Sequence, residues 1–155
     1  MPLQKLTEFL DREGVKYTTL SHSRAYTAQE VAACAHIPGK EMAKTVIVKV
    51  DGKMAMAVVP ASQKVDFERI RETTSARKVE LAEEKEFENL FPDCEVGAMP
   101  PFGNLYGLDV YVAKRLTEDD EIAFNSGSHT EVTRLHYADF ERLVHPRPID
   151  FSLTN

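Results

Sequence analysis

Residues Glu41–Pro60 read EMAKTVIVKVDGKMAMAVVP, and they decide the fold. Val46, Val48 and Val50 alternate with Thr45, Ile47 and Lys49, the period-two pattern of a strand over Ala43–Val50. Asp51-Gly52 follows, a pair that accepts the positive φ angles of a two-residue hairpin turn. KMAMAVVP is therefore the antiparallel return strand. The same stretch puts Lys44 where the apolar strand begins. A solvated lysine there would be ordinary. A lysine fixed by a rigid strand at a pocket mouth would be a chemical tool.

Working outward, Leu3, Leu6, Phe9 and Leu10 repeat at helical spacing, and Gly14 is the stop. VKYTTL is a short strand. Thr27 and Glu30 form a T-x-x-E capping box that opens a helix over TAQEVAACA, and Pro38-Gly39 ends it. Beyond the hairpin, amphipathic helices are expected near Asp66–Thr73 and Ala82–Leu90, with ARKVEL as a short strand between them. GAMPPFGNLYG is a shaped loop, rich in glycine and proline. LDVYVA and EIAFNSG read as strands around a polar turn. SGSHTEVTRL turns into another strand, and HYADFERLV is a closing helix stopped by Pro146. Helices and strands do not alternate strictly and a hairpin is present. That favours one compact α+β domain, residues 1–146, with a mixed or antiparallel sheet. Residues 147–155, RPIDFSLTN, are expected to be a mobile tail.

Composition bounds the function. The chain has 155 residues, 43% of them hydrophobic and 28% charged, with a net charge of −6. No apolar run reaches the ~18 residues that span a membrane. The opening MPLQKLTEFLDREG lacks the apolar core of a signal peptide. A cytoplasmic protein is expected, with Cys34 and Cys94 as reduced thiols. The acidic balance argues against specific duplex-DNA binding, which rests on neutralising many phosphates. It leaves room for contact with one end of a nucleic acid. Lys40, Arg24, Arg69, Arg71, Arg77 and Lys78 could form a local basic rim, with solvated surface as the alternative for most.

The motifs narrow this further. Lys44-Thr45 is not the end of a phosphate loop: Ala43 stands where glycine is required, and a strand follows instead of a helix. No G-x-S-x-G elbow occurs. The five histidines show no H-E-x-x-H spacing, so no metal or other cofactor is expected. Three features stand together: Lys44 at a strand start, the loop Gly97–Gly103, and NSGSHT at Asn125–Thr130. Glycine turns let backbone N–H groups approach a ligand and hold an oxyanion, a lysine pairs with phosphate, and a histidine orients a polar group. Each also has a plain structural reading as surface lysine, loop or turn.

Four segments in order, SHSRAYTAQEVA, MAKTVIVKVDGKMAMAVVPA, VGAMPPFGNLYGLDVYV and AFNSGSHTEVTRL, resemble the YbaK/ProX family. Its members are free-standing relatives of the editing domain of bacterial prolyl-tRNA synthetases. The resemblance runs from about Leu3 to Val144. It implies a curved, barrel-like mixed sheet flanked by helices. It also implies hydrolysis of the ester joining a wrong amino acid to the 3′-terminal adenosine of a tRNA. Expected partners are the aminoacyl-tRNA 3′ end and a prolyl-tRNA synthetase. Lys44 matches the family's functional lysine. Gly97 and Pro101 match the ends of its G-x-x-x-P loop. Gly127, Ser128 and His129 match the glycine-rich turn and histidine of the prolyl-tRNA editing branch, while Thr45 matches the cysteinyl-prolyl-tRNA deacylase branch. Ala113, followed by Lys114, stands where many relatives carry an acid, which puts recognition of the substrate's amino group in question.

The expected mechanism has Lys44 anchoring the terminal nucleotide. Backbone groups of Gly97–Pro101 and Gly127–His129 surround the reacting carbonyl, and a water attacks without a side-chain nucleophile. Lys44, Gly97, Gly127 and His129 are the catalytic candidates. Thr45, Met99, Pro101, Phe102, Ser126 and Ser128 are the substrate contacts, with loop packing as the alternative for Met99 and Phe102. The expected substrate is a small amino acid, alanine, cysteine or serine, on the proline tRNA. The competing reading is a non-catalytic module binding a nucleotide, a tRNA or a synthetase.

Overall fold

The computed structural model describes residues 3–151. In chain order the elements are α1 (Gln4–Arg12), β1 (Tyr17–Ser21), α2 (Ala28–Cys34), β2 (Met42–Val50), β3 (Lys53–Pro60), α3 (Phe67–Thr74), β4 (Val79–Leu81), α4 (Glu84–Phe87), β5 (Asp109–Ala113), α5 (Lys114–Thr117), β6 (Glu121–Asn125), β7 (Glu131–His136), α6 (Tyr137–Val144) and β8 (Arg147–Ile149).

The β2–β3 hairpin forms in the expected register, from Val50 opposite Lys53 to Ala43 opposite Pro60. Asp51 and Gly52 turn with φ of 50° and 83°, the left-handed conformation of a type I′ turn. The Asp51 carboxylate also accepts the N–H groups of Arg77 and Lys78, both at 2.9 Å, and so ties the turn to the start of β4. The capping box closes as the sequence requires: Thr27 Oγ1 accepts from the Glu30 N–H, and Glu30 accepts from the Thr27 N–H.

The strands build one mixed sheet in the order β1-β7-β6-β2-β3-β5-β8, with β4 against β2. It is curved and not closed. The β2–β6, β3–β5 and β5–β8 pairs are parallel; the others are antiparallel. Apolar side chains fill both faces. Leu6 and Leu10 of α1, Phe140 of α6, Phe102 and Phe124 make the larger core. Val48, Ile70 of α3, Ile149 and Phe151 make the second. A smaller cluster packs Val31 of α2 with Ile37 and Met42.

Three expectations change. The helix expected over Ala82–Leu90 is a single turn, α4, followed by a 3-10 turn at Glu88–Leu90. The turn between LDVYVA and EIAFNSG contains α5, and the two strands are not neighbours, since β5 lies between β3 and β8. Finally, the supposed tail from residue 147 is part of the domain, because Arg147–Ile149 pairs with β5. Pro146 follows the end of α6 as expected, and Pro148 is tolerated within β8 because that strand lies at the sheet edge, where one row of hydrogen bonds has no neighbour to serve. Ile149 and Phe151 are only 2% and 4% exposed. The rest of that segment, residues 152–155, lies outside the described residues.

Phe151→Ala should therefore lower stability by about 3 kcal/mol, the cost of emptying a buried phenylalanine site. Urea unfolding of the full chain measures it, and a loss near zero would mean that the segment does not pack on the second core.

Candidate active site

The site begins with an interruption in the sheet. β3 covers one edge of β2 along its whole length. On the other edge, β6 pairs only with Met42 and Ala43, and β4 only with Val48–Val50. Strand geometry sets which groups face that opening. The Met42 carbonyl points toward β3, where it accepts from the Ala61 N–H. The Glu41 and Ile47 carbonyls point the other way, to the N–H groups of Ala123 and Ala82. Thr45 shares the parity of Glu41 and Ile47, so its N–H and C=O face the opening. Among the described residues no hydrogen bond reaches them there.

A cavity of about 170 Å³ fills this opening. Lys44, Thr45 and Val46 form one wall, Gly97 and Met99 another, and Tyr26, Ala28 and Asn125 the rim and end. An apolar groove of about 220 Å³ adjoins it past Gly97 and Met99, lined by Ile47, Phe87 and the exposed Leu81 and Val96. Lys44 is half-buried and makes no hydrogen bond or ion pair with a described residue. Its pKa is lowered by burial and then by the nearby Lys64, since both disfavour a charge at this place.

The Gly97 loop is held from beneath. His129 is only 6% exposed, and its Nε2–H donates to the Val96 carbonyl at 2.8 Å. A carbonyl can only accept, so Nε2 carries the proton, and Nδ1 is left buried without a partner. The Glu95 carboxylate accepts the His129 backbone N–H at 3.1 Å and a two-pronged contact from Arg24 at 2.9 and 3.0 Å. Arg24 is the main reason that the Glu95 carboxyl sits below its usual range. The Tyr26 ring lies 4.9 Å from the His129 ring and is itself 64% exposed. Two backbone bonds join the loop to the turn behind it: Gly127 N–H to Ala98 O at 2.9 Å, and Glu95 N–H to Gly127 O at 2.8 Å. Gly127 has φ +103°, and a Cβ there would lie 3.1 Å from Leu3 Cβ, so both conformation and space call for glycine.

These contacts sort the expected site residues. Lys44, Thr45, Gly97 and Met99 come together around the cavity. The others do not line it. Phe102 is fully buried, with its ring 5.5 Å from Phe124 and 5.6 Å from Phe140, so it is core. Pro101 is buried behind the loop. Ser126 is fully buried, and its hydroxyl donates to the Glu131 carbonyl. Ser128 pairs with Thr130 at 3.2 Å. The N–H groups of Gly127 and His129 are engaged by Ala98 and Glu95, so they do not face a reacting carbonyl. His129 supports the loop instead of reaching the cavity. The N–H groups of Gly97 and Met99, by contrast, have no partner among the described residues, and both residues line the cavity. Ala113 is fully buried in the second core and does not line the cavity.

Sequence reading passed over Tyr26 and Glu95, while Asn125 stood only as the first residue of the NSGSHT stretch, without a role of its own. Tyr26 directly precedes the capping box, which was a usable signal. Glu95 carries none, because its role depends on loops that meet only in the fold.

Known proteins place the chain in a family. A profile of the aminoacyl-tRNA editing domain matches residues 22–143. The Multifunctional Ser/Thr-tRNA deacylase ProXp-y of Escherichia coli K12 is 28% identical over 97% of this chain and 93% of its own. A proline--tRNA ligase of Bacillus mycoides is 32% identical over 75 residues, 48% of this chain but 13% of the ligase. The fold overlays with a TM-score of 0.82 on a protein assigned as a trans-editing enzyme for prolyl-tRNA synthetase, at 18% identity over 97% of this chain and 96% of that one. The chain belongs to the aminoacyl-tRNA editing domain family, and its class is that of a hydrolase, an aminoacyl-tRNA deacylase.

Proposed function

We propose that this protein removes a small, wrongly attached amino acid from the 3′ end of a tRNA, and that serine is the preferred one. The observation that carries the reading is Lys44: a half-buried ammonium without a partner, on the wall of a small cavity. A cation held in that way calls for an anion, and the phosphate of the terminal nucleotide supplies one. The aminoacyl group then enters the cavity, with the Gly97 and Met99 N–H groups available to the developing oxyanion. Water attacks the ester carbonyl carbon, the bond to the ribose oxygen breaks, and that oxygen leaves with a proton. Free amino acid and tRNA result. The water's proton passes through the neighbouring ribose hydroxyl of the substrate. An aminoacyl ester is already activated, so positioning and oxyanion stabilisation supply the acceleration.

Size and polarity support serine among the small candidates. The cavity holds about 170 Å³, and Thr45 and Asn125 give it hydrogen-bonding walls. The likeness to a deacylase named for Ser- and Thr-tRNA points the same way. The proline tRNA is the proposed carrier, with a prolyl-tRNA synthetase as the proposed partner, in a cytoplasmic setting. A second reading, a binding module without chemistry, draws on the lack of any carboxylate or imidazole along the cavity among the described residues.

Deacylation of alanyl-, cysteinyl-, seryl- and threonyl-tRNA on the proline tRNA, beside cognate prolyl-tRNA, separates the two readings. Seryl-tRNA should be hydrolysed fastest, and Lys44→Met should lower kcat/KM about 10- to 100-fold, the worth of one charged hydrogen bond. No turnover of any species, with binding retained, would favour the module. Because burial disfavours the Lys44 charge, protonated Lys44 weakens the fold at neutral pH, and that cost fades only as pH rises past its lowered pKa. Lys44→Met should therefore keep or raise Tm while activity falls. A marked drop in Tm would make Lys44 a structural residue.

Glu95→Ala tests the loop support. The partly exposed Arg24–Glu95 pair contributes less than about 1 kcal/mol, but the buried His129 N–H would also lose its acceptor, so the variant should lose about 1–3 kcal/mol of stability. The Val96–Met99 segment would then lose its anchor, and kcat should fall tenfold or more. Unchanged kcat would remove Glu95 from the positioning scheme.

A further inference from the structure

Recognition of the substrate's α-ammonium group has no obvious carboxylate. Ala113 is fully buried in the second core, and no Asp or Glu lines the cavity among the described residues. Only neutral oxygens are offered. Asn125, the last residue of β6, lines the cavity, and its Oδ1 is buried without a hydrogen-bond partner. Facing the same opening is the Thr45 carbonyl, left without a partner where β6 stops covering β2. A buried acceptor is rarely left unmatched in a folded protein, and Asn125 Oδ1 beside the unpaired Thr45 carbonyl at one cavity defines a place for a donor with several hydrogens.

We infer that Asn125 Oδ1 and the Thr45 carbonyl together hold the α-ammonium of the aminoacyl group. The inference rests on the deacylase reading above. Lys44 is the cavity's own cation, so a second positive group can enter only where acceptors face it and where Lys44 is matched by the terminal phosphate. The uncharged acceptors explain how the chain dispenses with an acid at position 113. They also give the site a way to distinguish an aminoacyl ester from other acyl esters of the same size. Asn125 is thus a binding residue that touches the substrate, and the Thr45 backbone completes its hold whatever side chain position 45 carries.

Two stable probes test this. One is 5′-phospho-3′-serylamido-3′-deoxyadenosine, with an amide in place of the ester. The other is its counterpart, in which a hydroxyl replaces the α-amino group. Titration calorimetry should show the wild type binding the first at least tenfold more tightly than the second. Asn125→Leu should shrink that ratio to less than threefold. Asn125→Asp, which keeps the acceptor and adds charge, should widen it, and it decides the matter if Asn125→Leu does not fold. A wild-type ratio near one, a full ratio in folded Asn125→Leu, or an unchanged ratio in Asn125→Asp overturns the inference. Turnover of seryl-tRNA is followed separately. Its absence with an intact ratio would sink the deacylase reading alone, and its presence with a ratio near one would sink the ammonium site alone.

Discussion

A strand inside a sheet ordinarily gives both rows of its backbone hydrogen bonds to neighbours, and β2 does so except over the stretch around Thr45. β6 leaves β2 after Ala43, β4 joins it at Val48, and the peptide groups between have a strand on one side only. An unmatched buried N–H or C=O costs about 1–3 kcal/mol. The fold leaves this stretch open and surrounds it with a loop, a turn and a lysine. Everything about the site follows from the gap. It sets the width of the cavity, it exposes polar backbone at the bottom of an otherwise apolar sheet, and it puts Lys44 beside that backbone on a strand that the β3 pairing keeps rigid.

The supporting parts divide cleanly in their physics. The two apolar cores lie on the faces of the sheet and hold the strands in register. The loop that completes the cavity is positioned by polar contacts instead: His129 to the Val96 carbonyl, Glu95 to the His129 N–H, Gly127 to Ala98. Burial energy is indifferent to direction, whereas hydrogen bonds fix angles. A catalytic loop needs the second kind of restraint. This explains why His129, an obvious candidate for chemistry in the sequence, serves as a bracket.

Local chemistry made most of the fold readable. The Asp51-Gly52 turn, the Thr27–Glu30 capping box and the helical spacing of Leu6 and Leu10 act over a few residues, and each formed as read. What escaped depends on distance along the chain. Arg147–Ile149 looks like part of a tail until β5 is known to lie beside it. Phe102 looks like a pocket wall until Phe124 and Phe140 close around it. The site divides in the same way. Lys44 and Gly97 stood out through their type and setting. The loss of Gly127 and His129 as oxyanion donors became visible only once their N–H groups were traced to Ala98 and Glu95.

The backbone bond from the Leu3 N–H to the Ser126 carbonyl, and the Leu3 side chain under Gly127, join the start of the described chain to the β6–β7 hairpin. Cavity walls come from residues as far apart as Tyr26 and Asn125. Contacts of such long range form late, because closing a large loop costs entropy before it brings any gain. A ribosome-bound chain that has not yet delivered β6 and β7 therefore has no cavity at all. In biosynthetic order, the site is complete only after β6 has emerged.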